Sequence, residues 1–269
     1  MGTIELLGYV SAAVIGFSLG LIGGGGSILT VPALVYLVGI NPVLSTSYSL
    51  FIVGTAALVG SYNYMKQELI SYKTAIVFAI PSLIAVYATR RWIVPAVPEE
   101  IIRWDDFVLT KDIAVMVFFA LLMAAASFSM IYSAKKPSTD KQEATLRFNY
   151  PIIVIEGAVV GVLTGLVGAG GGFLIIPALV LLAKLPMKMA IGTSLLIIAA
   201  KSLIGFVGDV GVQPIEWRFL LAFTAIAVVG IFAGTYASQF IASQKLKVGF
   251  GWFVLVMAIF IIINELIIT

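Results

Sequence analysis

The chain has 269 residues, 61% of them hydrophobic and only 11% charged, with 16 Lys and Arg against 13 Asp and Glu. A soluble domain carries about a quarter charged residues, so this composition excludes an ordinary water-exposed surface, and a net charge of +3 gives no footprint for nucleic acid. With no Cys and no His, disulfides, thiolate chemistry, His-based metal sites and His proton relays are excluded, and no cofactor is expected.

Ten apolar segments follow one another: 5–22, 28–39, 43–64, 71–94 and 112–133, then 151–167, 173–184, 189–208, 217–240 and 248–267. The first lacks a basic flank and a cleavage site, and reads as a retained helix and not a signal peptide. Runs such as 71–94 and 248–267 reach about 30 Å or more as helices and can cross a bilayer. The second, 28–39, reaches only about 18 Å. It follows a glycine run, which predicts a broken or re-entrant element.

That glycine run occurs twice. Gly20–Pro32 reads GLIGGGGSILTVP and Gly165–Pro177 reads GLVGAGGGFLIIP, at an offset of 145 residues. In the same ungapped register Gly23 matches Gly168, Gly25 matches Gly170, Gly26 matches Gly171 and Ser49 matches Ser194. Apolar residues coincide easily by chance, whereas several glycines and a proline do not, so the register predicts an internal duplication. The halves are 1–133 and 151–269, joined by a polar linker at 134–150.

If every segment crosses, one side holds Lys66, Lys73, Lys135, Lys136, Lys141, Arg147, Lys184, Lys188, Lys245 and Lys247. The other holds Arg90, Arg91, Arg103, Lys111 and Arg218, which makes the first side cytoplasmic and the halves inverted repeats. If the short second segments do not cross, the halves are parallel. Residues 95–111 interleave charges with Ile101, Ile102, Phe107 and Val108; they read as an interfacial helix or as an ordered external loop.

Few residues can carry chemistry. Gly23, Gly24, Gly25, Gly26 and Ser27, with Gly168, Ala169, Gly170, Gly171 and Gly172, expose backbone N–H groups before short helices. Backbone of this kind is tolerated at membrane depth where it is buried in protein or lines a cavity, and a helix start there suits an anion. The alternative is that the glycines permit close helix packing. Neither run fits a nucleotide fingerprint or is followed by GK[ST]. Hydroxyls cluster at Ser45, Thr46, Ser47, Tyr48 and Ser49 and again at Thr193 and Ser194; Ser47, Ser49, Thr193 and Ser194 are candidate donors to anion oxygens, with back-bonding to helix carbonyls as the alternative. Lys201 lies deep in the eighth segment. It reads either as the cation for an anion or as a partner of Asp209 or a snorkelling side chain. Glu156 is a candidate proton carrier, or else a structural carboxylate.

GLIGGGGSILTVPAL and GLVGAGGGFLIIPAL, supported by SYSLFIVGTAALVG and IGTSLLIIAAKSLIG, resemble the sulfite exporter family TauE/SafE, the toluene sulfonate uptake permease family. The resemblance covers nearly the whole chain. It implies a cell-membrane transporter for small sulfur-containing or organic anions whose path the glycine motifs line. Ser27 and Ala169 depart from the doubled motif, and SYSL stands in the first half where the second has GTSL, so the half-sites are unequal.

The expected protein is an all-α polytopic membrane protein with about eight to ten spans. Its expected partners are a small inorganic or organic anion and the lipid bilayer, with proton or ion coupling. A non-transporting assembly factor and an anion channel are the alternatives. An enzyme is disfavoured because carboxylates are scattered and no nucleophile–base pair is in view.

Overall fold

The computed structural model describes residues 3–23, 27–104, 107–134, 150–167, 171–181, 185–238, 240 and 243–265. The polar linker and the centres of both glycine runs lie outside the described residues. In chain order the helices are α1 (Thr3–Ile22), α2 (Ser27–Pro32), α3 (Pro42–Lys66) and α4 (Tyr72–Ala88). Then come α5 (Lys111–Ala134), α6 (Tyr150–Val167), α7 (Gly172–Leu181), α8 (Met187–Asp209), α9 (Trp217–Ala237) and α10 (Ser243–Ile263). Helices dominate because a bilayer offers no water to backbone N–H and C=O groups, so each segment must satisfy its own. Four apolar stretches among the described residues are long enough to cross a membrane: 42–66, 72–96, 188–209 and 217–237.

Local chemistry sets the helix ends. The Asn41 side chain accepts from the backbone N–H groups of Val43 and Leu44, and Pro42 stands at the first helical position of α3. Pro32 has no N–H to give, and the segment widens after it into a π turn, Ala33–Leu37, with Val38 N–H donating to Ala33 O at 3.2 Å. A second π turn, Thr89–Ile93, continues α4.

Residues 95–111 do not form the interfacial helix that was one reading. Glu100–Trp104 (β1) pairs antiparallel with Phe107–Thr110 (β2), with Trp104 opposite Phe107. Ile and Val are β-branched and Phe and Trp aromatic, all suited to strands, and the two-residue Asp105–Asp106 connection has hairpin length.

Glycines set how the helices pack. A Cβ on Gly16 or Gly20 of α1 would run into the backbone of α9 at Ala227 and Ile231, and one on Gly230 or Gly234 of α9 into α1 at Ala13 and Phe17. Paired small residues at four-residue spacing let two backbones touch, and dispersion then holds them without a hydrophobic driving force. The same device joins α6 to α4. Cβ atoms on Gly157 and Gly161 would lie 2.6 Å from the carbonyls of Phe78 and Ser82, and one on Gly165 would lie 2.7 Å from Thr89 Cβ. Residue numbers rise together in both pairs, so each pair is parallel. By contrast α3 and α8 are antiparallel, since a Cβ on Gly54 meets Leu203 and one on Gly60 meets Leu195.

The short second segment runs back along α1. Gly23 ends α1, and Val38 lies beside Gly8 near its start. The bundle thus has two ends. Lys66, Leu69 and the start of α8 at Gly192 share one; Arg90, Asp209, the start of α3 and the start of α9 share the other.

Candidate functional site

α3 and α8 cross through the centre of the bundle, and Lys201 stands near the middle of the 23-residue α8. Its side chain is fully buried. The Lys201 ammonium donates to Thr164 Oγ1 at 3.1 Å. Thr164 spends its own proton on the Val160 carbonyl at 2.7 Å, so its lone pair is free to receive Lys201. Two of the three ammonium protons have no partner among the described residues.

Gly171 lies directly against this group. A Cβ there would collide with both Thr164 Cγ2 and Lys201 Nζ, and its φ of +66° is one that side chains resist. The Gly171 carbonyl accepts from Leu174 and Ile175 at 3.0 and 3.1 Å and so starts α7. Glycine is needed here both to turn the chain and to let the ammonium reach the helix start.

The buried charges among the described residues are Arg90, Lys111, Lys201, Asp209 and Glu265. Lys111 pairs with Glu99 at 3.8 Å, Arg90 with Asp209 at 3.3 Å, and Glu265 accepts from Tyr36 at 2.9 Å. Lys201 has no carboxylate partner among the described residues. Asp209, its alternative partner in the sequence reading, is taken by Arg90, and full burial rules out snorkelling. A lone ammonium in a membrane interior costs several kcal/mol unless something compensates it.

The other candidates spread along the same two helices. Ser47 and Ser49 are buried towards the Arg90 end of α3. Ser47 Oγ back-bonds to Val43 O at 3.4 Å, and Ser49 Oγ has no partner among the described residues. Thr193 and Ser194 lie towards the Lys66 end, about 11–12 Å along α8 from Lys201. Thr193 Oγ1 receives the Ser71 N–H at 2.9 Å and so ties down the start of α4, while Ser194 back-bonds to Ile191 O at 2.8 Å. Gly23, with φ +80°, abuts Ile191 at that same end. Ser27 and Gly172 are buried at the starts of α2 and α7, which touch each other. Gly24, Gly25, Gly26, Gly168, Ala169 and Gly170 lie outside the described residues. Glu156 is partly exposed on α6.

Sequence reasoning missed Thr164 and read Arg90 as a charge at a span end. The available signal was Trp92-Ile93-Val94, apolar residues that carry the span past Arg90. Among the described residues no group of carboxylates could hold a metal ion.

A family described as sulfite exporter TauE/SafE matches residues 9–261. A probable membrane transporter protein of Xylella fastidiosa is 29% identical over 94% of this chain and 92% of its own length. The probable membrane transporter protein YunE of Bacillus subtilis is 26% identical over 80% of this chain and 83% of its own, and one from Haemophilus influenzae is 27% identical over 96% and 98%. No solved structure matches the chain significantly. With its apolar helices and a match across nearly its whole length, the chain belongs to the TauE/SafE sulfite exporter family and is a multi-pass transporter of the cell membrane.

Proposed function

We propose that the chain is a secondary transporter of small anions, sulfite or another sulfur oxyanion or sulfonate first, and not an enzyme. The observation that carries this is the buried Lys201 ammonium, uncompensated among the described residues and seated against Gly171 at the start of α7. An oxyanion there takes two N–H donors from Lys201 and further donors from the glycine backbone and the helix dipole. These bonds replace the ion's hydration shell, yet they are few enough to release it. The family's name supports the sulfur chemistry.

In this reading the two glycine loops are halves of one path, the second beside Lys201 and the first, at Gly23, about 15 Å along α8 against Ile191. Residues 1–133 and 151–269 are inverted repeats joined by a cytoplasmic 134–150 linker. Support comes from the exchange of partners: α1 packs on α9 and α6 on α4, both parallel, while α3 and α8 run antiparallel. Ten crossings satisfy all three directions; eight crossings would make α3 and α8 parallel.

The test is flux of radiolabelled sulfite, thiosulfate, methanesulfonate and chloride into proteoliposomes, with pH and Na+ gradients imposed to expose coupling. Sulfur oxyanions should enter faster than chloride, and Lys201→Gln should cut their uptake at least tenfold. Uptake equal to that of empty vesicles for all four anions would refute the proposal.

A further inference from the structure

Arg90 is a second buried cation with an unusual bond pattern. Its side chain is fully buried, on the π turn that extends α4. Only Nη1 is engaged, by Asp209 Oδ2 at 3.3 Å. Charge-assisted N–H···O bonds usually lie at about 2.7–2.9 Å and often form in parallel pairs between a guanidinium and a carboxylate. Here the bond is long and single. Nε and Nη2 have no partner among the described residues. These two atoms form one edge of the guanidinium, and their N–H bonds point the same way, which is the geometry that grips two oxygens of a single oxyanion.

The position fits a path. Asp209 is eight residues from Lys201 on α8, about 12 Å along the axis, towards the Arg90 end. Thr89, next to Arg90, packs on Gly165, three residues before Gly168 in the second glycine run. The pair therefore sits buried at one end of the bundle, about 12 Å along α8 from Lys201.

We infer that Arg90 is a second station for the transported oxyanion, with Asp209 as the internal carboxylate that occupies the guanidinium when the station is empty. This rests on the reading of the chain as an anion transporter. An arriving sulfite takes the free Nε–Nη2 edge and competes with Asp209 for the same cation. Asp209 thereby limits affinity at Arg90, so the anion can move on to Lys201 or leave.

The test is sulfite binding to purified full-length protein, by calorimetry and by sulfite-dependent thermal shift. Asp209→Asn should tighten binding about tenfold, and adding Arg90→Gln should abolish that gain. In a Lys201→Gln background weak binding should persist and should still tighten with Asp209→Asn. Misfolding cannot tighten binding, so Asp209→Asn decides even if Arg90→Gln alone fails to fold. If Asp209→Asn leaves affinity unchanged while Lys201→Gln abolishes it, Arg90 and Asp209 are a structural pair and the second station is wrong. If wild-type protein binds none of sulfite, thiosulfate and methanesulfonate, the anion reading itself has failed, and the second station falls with it.

Discussion

The 145-residue offset equates Ala56 with Lys201, Thr235 with Arg90 and Tyr64 with Asp209. All six positions are buried. The first member of each pair is uncharged and the second is charged. What recurs is backbone: glycines before the short helices, glycines between packed helices, and the partner exchange of α1 and α6. What occurs once is charge. We propose that a duplicated scaffold here carries one asymmetric site. Close backbone packing needs small residues on both sides, whereas each buried charge adds a desolvation cost of several kcal/mol, which a second copy of the set would double.

The scaffold side of this comparison breaks most sharply at Gly171. Gly171→Val puts a branched side chain at φ +66° and into the space of Thr164 and Lys201. Sulfite affinity in thermal shift should fall at least a hundredfold, to the weak binding expected in Lys201→Gln. Gly39→Ala is the matched control. Its φ is +78° with nothing within 4 Å of a new Cβ, so it should cost about 1–2 kcal/mol of stability and keep the sulfite shift.

The charge side sharpens at Thr164. Thr164→Val keeps the shape and removes the acceptor that holds Lys201. Sulfite affinity should fall roughly three- to tenfold, the worth of one hydrogen bond of about 1 kcal/mol. An unchanged dissociation constant would mean that Lys201 is positioned by something else.

The smallest effect belongs to Thr193. Thr193→Val deprives the Ser71 N–H of its acceptor, so stability should drop by about 1 kcal/mol in thermal unfolding while sulfite affinity holds. A loss of affinity without a loss of stability would return Thr193 to the anion path.

Most helices were legible because apolar runs and glycine or proline punctuation mark them directly; α3, read as 43–64, spans Pro42–Lys66. The hairpin at 100–110 was not, since short interleaved apolar and charged residues fit a helix face and a strand pair alike. Lys201 stood out as a cation inside an apolar run. Its neighbour Thr164 did not, because a threonine in a membrane helix carries no mark of which residue 37 positions away it will meet. Arg90 looked like a span end because arginines there are common. Only the fold brings it to Asp209, 119 residues on.

The central claim is that the oxyanion rests on Lys201 beside Gly171. Selenite, a heavier analogue of sulfite, can be located by anomalous diffraction from crystals grown with it. The account predicts an anomalous peak within hydrogen-bonding reach of Lys201 Nζ, lost in Lys201→Gln crystals. Selenite bound elsewhere in the bundle, with the space between Lys201 and Gly171 empty, would contradict it.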